Sequence, residues 1–374
     1  MKKVLIVTAS IGSGHVRAAE AIRQEISREY PETEVQVVDF MSKETAYLNA
    51  LLKTIYLKML DFVPNLYAFL YNTTSGPAGR FSAQNLIAVE MKHNMEALVR
   101  CFDPDVVICT HPFPAAAASC LKKSRPVRFL FATIMTDYSV HQMWIYDNVD
   151  VYFVATEKMK QDLRSYGFRA EQIFPCGIPI AAAFQEVPRR AEALQALGLS
   201  AKSPVVLIMG GGLGLGGESF ALEALETLAM RLQIVVVAGK NQSLLAQARG
   251  FAGKSHHKVL VFGYTDRVRE FMAAADLLIS KPGALTISEA LAMGLPMLLH
   301  EPIPGPEAEN AVYEAGEGTA VWLRAGEALA PAVQTLLSQP ARLNAMKEQA
   351  NICRRPQAAH DIVKAIVGQL RQEK

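Results

Sequence analysis

The chain has 374 residues, 51% of them hydrophobic and 20% charged, with a formal net charge of +2. That length points to two domains, each large enough for its own core, and the composition excludes a disordered chain. Near-neutral charge excludes the clustered basic face of a nucleic-acid-binding protein, so no nucleic-acid partner is expected.

Met1-Lys2-Lys3 leads straight into an apolar run that stops by Ser10, which is unlike a signal peptide. Residues 3–9, KVLIVTA, read as a buried strand, followed by Ser10-Ile11-Gly12-Ser13-Gly14-His15, a helix to about residue 29 and a second strand at 35–40. A dinucleotide site would want G-x-G-x-x-G; Gly12, Gly14 and the acid Asp39 fit, but Arg17 stands where the third glycine belongs. The other reading places His15 on the first helical turn, at the carboxyl edge of a parallel sheet, where α/β proteins bind ligands.

Residues 46–72 interleave Tyr47, Tyr56, Phe62, Tyr67, Phe69 and Tyr71 with leucines. Pro64 and the charges Lys53, Lys58 and Asp61 argue against a spanning helix. The segment reads either as a pair of buried helices or as a surface that dips into lipid. Lys122, Lys123, Arg125 and Arg128 form a basic run that would gain about 1 kcal/mol per charge near anionic head groups, or else simply a solvated loop. No apolar stretch reaches the length of a membrane span without charges.

Strands follow at 105–110, 129–134 and 149–155. Asp103-Pro104-Asp105 resembles a metal-holding carboxylate pair but opens a strand, the wrong edge for a ligand. His111-Pro112-Phe113 and Thr136-Asp137 end strands at the ligand edge, and a polar-aromatic loop runs on from Asp137 to Trp144. The five cysteines, 101, 109, 120, 176 and 353, show neither CxxC pairing nor metal-ligand spacing, which suits a reducing compartment and no metal site.

Gly177-Ile178-Pro179 and residues 184–188 read as a linker. A second set of strands begins at 205–209 and enters six glycines in eight residues, 210–217, which permit close backbone approach to a phosphate. The strand at 234–238 ends in Gly239-Lys240-Asn241 rather than an acid, which disfavours NAD. Residues 259–262 lead to Gly263-Tyr264-Thr265-Asp266. Residues 281–310, KPGALTISEALAMGLPMLLHEPIPGPEAEN, place Gly283, Ala284 and Leu285 where a helix begins, so their N–H groups favour an anion. Glu289 lies one turn in, and Glu307, Glu309 and Asn310 follow the next strand. Such a crevice suits a nucleotide diphosphate carrying a polyol. A terminal helix is expected at about 357–371.

GSGH, MTDYSVHQMW, GKN, KPGALTISEAL and PGPEAEN together resemble glycosyltransferase family 28, in particular its bacterial processive diacylglycerol glucosyltransferases and plant galactolipid synthases. The resemblance spans essentially the whole chain. It implies a GT-B fold: two doubly wound Rossmann-like α/β domains facing a central cleft, at 1–185 for acceptor and membrane and 186–355 for the UDP-sugar. A terminal helix, 356–374, would cross back. It implies inverting transfer of glucose or galactose from a UDP-sugar to diacylglycerol. His15 would be the base and Asp137 would orient it or the acceptor hydroxyl. Gly14, Gly211, Gly212, Leu213, Gly214, Tyr264, Gly283, Ala284, Leu285, Thr286, Glu289, Glu307, Glu309 and Asn310 would bind the UDP-sugar. Tyr56, Phe62, Phe69, Tyr71 and Trp144 would meet the acceptor or membrane. No cofactor or metal is implied. The expected location is cytoplasmic, peripheral on an anionic inner membrane face. Gly305-Pro306-Glu307 stands where relatives often read Gly-Gln-Glu, which leaves the hexose open. Alternatives are a lipid-II-type N-acetylglucosaminyltransferase, a GT-B UDP-sugar 2-epimerase, which would not need residues 46–72, and a silent UDP-sugar sensor, which would not need His15.

Overall fold

A computed structural model describes residues 1–10, 13–40, 83–210, 218–300, 302 and 305–372. The chain forms two compact units: Met1–Ala182 with Pro304–Pro306 and Pro356–Lys374, and Ala183–Ile303 with Glu307–Arg355.

The first unit runs β1 (Lys3–Thr8), α1 (Ser13–Glu29), β2 (Glu34–Asp39), α2 (Ala83–Phe102), β3 (Val106–Cys109), α3 (Pro112–Ser124), β4 (Leu130–Ile134), β5 (Val151–Phe153), α4 (Glu157–Ser165) and β6 (Ile173–Phe174). All pairings are parallel, in the order β2-β1-β3-β4-β5-β6. Every residue of β1 after Lys3 is buried, and so are all of β3, β4 and β5. Such strands read as unbroken apolar runs because helices cover both faces of a parallel sheet. Chain order reverses between β1 and β3, so the loops after these two strands diverge and open a crevice at their carboxyl ends.

The second unit runs α5 (Arg190–Ala196), β7 (Val205–Met209), α6 (Glu218–Glu226), β8 (Gln233–Val237), α7 (Gln242–Ala252), β9 (Lys258–Phe262), α8 (Val268–Ala274), β10 (Leu277–Ser280), α9 (Ala284–Ala292), β11 (Met297–Leu299), α10 (Pro306–Gly316), β12 (Ala320–Trp322), α11 (Leu329–Leu337) and α12 (Pro340–Cys353). Its parallel order is β12-β11-β10-β7-β8-β9, which reverses between β7 and β10. The turn after β10, residues 281–283, therefore lies beside the second reversal. Asp276 fixes the entry of β10: its carboxylate accepts from Val205 N at 2.9 Å and takes a two-pronged contact from Arg190, at 2.8 and 3.0 Å.

The last helix, α13 (Ala358–Gln372), belongs to the first unit. Ala359, Ile362, Val363 and Ile366 recur at helical spacing and bury against Ile22 and Ile26 of α1 and Val4 and Ile6 of β1. Each isoleucine so enclosed contributes about 1.5–3 kcal/mol. Glu25, 2% exposed, is held among them by Arg28 at 2.8 Å and His360 at 3.1 Å.

Candidate functional site

At the first reversal, His15 occupies the first turn of α1 directly after Gly14. Its Nδ1 lies 2.9 Å from the carbonyl oxygen of Thr110, at the end of β3, and 2.6 Å from Thr136 Oγ1, at the end of β4. Thr110 Oγ1 donates back to the His15 carbonyl at 3.0 Å. A carbonyl can only accept, so these contacts place the ring proton on Nδ1 and leave the Nε2 lone pair for another partner. Burial lowers the His15 pKa from 6.5 to about 4, against the opposing pull of the Thr110 carbonyl. The ring is therefore neutral near pH 7, the form that accepts a proton.

His111 stands edge-on to His15, ring centroids 4.5 Å apart. It caps α3, its side chain accepting from Phe113 N at 3.1 Å just before Pro112, and it is 6% exposed. Burial first, then the neighbouring His15, holds its pKa well below 6.5. The bond from Phe113 N leaves the proton on its other nitrogen, so the two adjacent histidines carry opposite tautomers. His111 had no role in the sequence reading; its signal was a histidine immediately after a strand and before a proline. Asp137 follows Thr136 and is half-buried.

Trp144 is placed differently from the expectation that it faces acceptor or membrane. It is 2% exposed, its ring centroid 6.3 Å from that of His15, and Tyr152 Oη donates to its carbonyl at 3.1 Å. It forms a wall beside His15, and an enclosed ring offers no surface to lipid. The basic run also changes. Lys122 pairs with Asp150, and Arg125 with Glu96 at 2.6 Å, whereas the exposed Lys123 and Arg128 make no ion pair among the described residues. The run precedes β4, so it lies at the amino edge of the sheet, opposite His15. Asp105 is likewise a strand-entry residue, accepting from Lys3 N at 3.0 Å. Tyr56, Phe62, Phe69 and Tyr71 lie outside the described residues.

At the second reversal, Gly283 caps α9 without a side-chain bond, and α9 is buried along its whole length, Ala284, Leu285, Thr286 and Glu289 included. Glu289 is 1% exposed and Thr286 8%. Asn310, wholly buried, donates from Nδ2 to the Pro282 carbonyl at 3.2 Å and so braces the turn as well as lining it. Lys281 Nζ contacts Glu307 Oε1 at 2.7 Å. Glu309 is exposed. Tyr264, 72% exposed at the end of β9, has Lys240 Nζ 5.5 Å from its ring centre. Gly211, Gly212, Leu213 and Gly214 lie outside the described residues. The structure thus gathers Gly283, Ala284, Leu285, Thr286, Glu307 and Asn310 around one turn and adds Lys281, which the sequence reading quoted without a role.

Among the described residues, Glu226, His256 and His257 bring three potential metal ligands together. Protein contacts already occupy them: His256 reaches Glu226 at 2.8 Å and the Leu228 carbonyl at 3.0 Å, and His257 reaches the Leu225 carbonyl at 2.8 Å. The cluster ties the end of α6 to the amino edge of the second sheet, away from both reversals.

Two doubly wound units, each with its chemistry-bearing residues at the carboxyl ends of strands flanking a reversal, define a two-domain α/β protein of the GT-B fold. Solved structures agree: MurG of Acinetobacter baumannii superposes with a TM-score of 0.63 over 98% of this chain and 100% of that one, at 16% identity. MnaA of S. aureus, solved with UDP, gives 0.67 over 99% and 97%, at 15% identity. The profile of monogalactosyldiacylglycerol (MGDG) synthase matches residues 15–180, and that of the glycosyltransferase family 28 C-terminal domain matches 205–364. A processive diacylglycerol beta-glucosyltransferase of Bacillus cereus (strain AH187) is 33% identical over 367 residues, 98% of this chain and 94% of the relative. The chain belongs to glycosyltransferase family 28.

Proposed function

We propose that this protein transfers a hexose from a UDP-sugar to the free hydroxyl of diacylglycerol, with inversion at the sugar carbon. The observation that carries the reading is His15, locked by Thr110 with its Nε2 lone pair available, in a chain one-third identical to a diacylglycerol glucosyltransferase. In the proposed step Nε2 takes the hydroxyl proton as the oxygen forms its bond to the anomeric carbon. The bond from that carbon to the phosphate oxygen breaks, and UDP leaves with the electron pair. Asp137, beside Thr136, would orient the acceptor. Donor binding falls to the second unit, with the α9 start and Lys281 toward the diphosphate, Glu289 toward the ribose and Glu307 toward the hexose. The carboxylate pair Asp103 and Asp105 stands at the amino edge of its sheet, so we route no metal through it.

For the membrane, we assign contact to residues 46–72, where tyrosines and phenylalanines are interleaved with leucines. Lys123 and Arg128 are left as a minor electrostatic aid, worth about 1 kcal/mol each at most. No helix among the described residues is long and apolar enough to cross a membrane. The GT-B fold by itself also admits the two alternatives, a UDP-sugar 2-epimerase and a lipid-II-type N-acetylglucosaminyltransferase. Incubation with UDP-glucose, UDP-galactose or UDP-N-acetylglucosamine and diacylglycerol vesicles separates them. A glycosylated diacylglycerol is the expected product, and epimerised nucleotide sugar without lipid product would replace this reading.

A further inference from the structure

Lys281 leaves β10 at its carboxyl end, and its ammonium lies 2.7 Å from Glu307 Oε1, both side chains about 15% exposed. A Cβ built on Gly283 would stand 3.9 Å from that same oxygen. The Glu307 carboxylate therefore rests against the start of α9, where Gly283 supplies no capping side chain. A helix start beside an ammonium is an anion site. The anion at this place is the Glu307 carboxylate itself.

We propose that Glu307 is a built-in competitor of the donor's diphosphate, exchanging partners when the donor binds. The inference rests on the reading of the second unit as the UDP-sugar site. Phosphate oxygens take Lys281 and the α9 start, because two anions cannot share one ammonium at this distance without strong repulsion. The displaced carboxylate is then left to accept hydrogen bonds from the hexose hydroxyls. An intact UDP-sugar recovers what the exchange costs, since the sugar gives Glu307 a new partner. UDP alone does not. The pair thus selects intact donor over product and speeds UDP release after transfer. Lys281 acts here as a donor-binding residue and Glu307 as the element that tells UDP from UDP-sugar.

The test compares UDP binding by calorimetry with donor kinetics in wild type, Glu307→Gln, Lys281→Met and Lys281→Arg. Glutamine is isosteric and gives up the charge, so Glu307→Gln should bind UDP about two- to fivefold more tightly, the scale of a partly exposed ion pair. The same variant should show lower kcat/KM for the UDP-hexose and stronger inhibition by UDP. Lys281→Met should weaken UDP about tenfold or more, with Lys281→Arg restoring most of it. Unchanged or weaker UDP binding by a folded Glu307→Gln, with wild type binding normally, overturns the exchange and leaves a structural ion pair. Wild type that binds no UDP overturns the donor reading itself, and the inference with it.

Discussion

Acidification probes the first unit at His15. Burial among Thr110, Thr136, His111 and Trp144 lowers its pKa from 6.5 to about 4. At ~1.4 kcal/mol per tenfold change in protonation, that difference comes to about 3 kcal/mol between the charged and neutral rings. Because the ring keeps some exposure, solvent screening reduces the working figure to about 2 kcal/mol. In the unfolded chain the imidazole takes a proton below pH 6.5, whereas in the folded chain it stays neutral down to about 4. The unfolded state therefore binds more protons in that window, and stability rises with pH across it. The contribution is complete above 6.5 and is lost as pH falls toward 4. His111 is shifted in the same direction, so the assay must be site-specific: carbon-13 NMR of the histidine rings, assigned with His15→Gln, beside the acid limb of kcat/KM. Both should report an apparent pKa near 4 for His15. A ring that titrates near 6.5 would refute the enclosed, carbonyl-anchored geometry.

Four further outcomes follow. Thr136→Val removes the hydroxyl 2.6 Å from His15 Nδ1 at nearly constant volume, and should lower kcat about three- to tenfold with little change in donor KM. Glu314, wholly buried in α10 and bonded by Thr319, has its carboxyl pushed up to about 7 by burial. The folded state there holds a proton the unfolded state has released, so stability falls as pH rises from 4.5 through about 7, and thermal melts of Glu314→Gln should lack that fall. Replacing Lys123 and Arg128 by alanine should weaken anionic-vesicle flotation no more than about thirtyfold, two charges at ~1 kcal/mol each. Lys122→Met should instead lower the melting temperature, because Asp150 also accepts from Phe131 N at 2.7 Å.

The strands were legible because buried parallel strands are unbroken apolar runs. The expected strands at 205–209 and 259–262 lie against observed Val205–Met209 and Lys258–Phe262. β6 and β12, two and three residues long, carry too little pattern to be seen. Residues 281–285 announced the helix start, with a proline-glycine turn between an apolar strand and helical spacing. What failed to show was pairing across distance. Lys122 reads as a free cation until Asp150, 28 positions on, is folded beside it, and Lys281 meets Glu307 across 26 positions. Trp144 sits in a polar stretch that suggests exposure, and only the fold, with Tyr152 anchoring its carbonyl, encloses it.

The central claim is that a locked His15 drives hexose transfer to a lipid hydroxyl. Its most direct test is the lipid product formed from radiolabelled UDP-hexose and diacylglycerol vesicles by wild type and by His15→Ala, with UDP affinity measured on both. Labelled glycolipid from the wild type, reduced about 100- to 10,000-fold in the variant at unchanged UDP affinity, is the predicted result. Equal glycolipid from both proteins, or labelled sugar that never enters lipid, would contradict it.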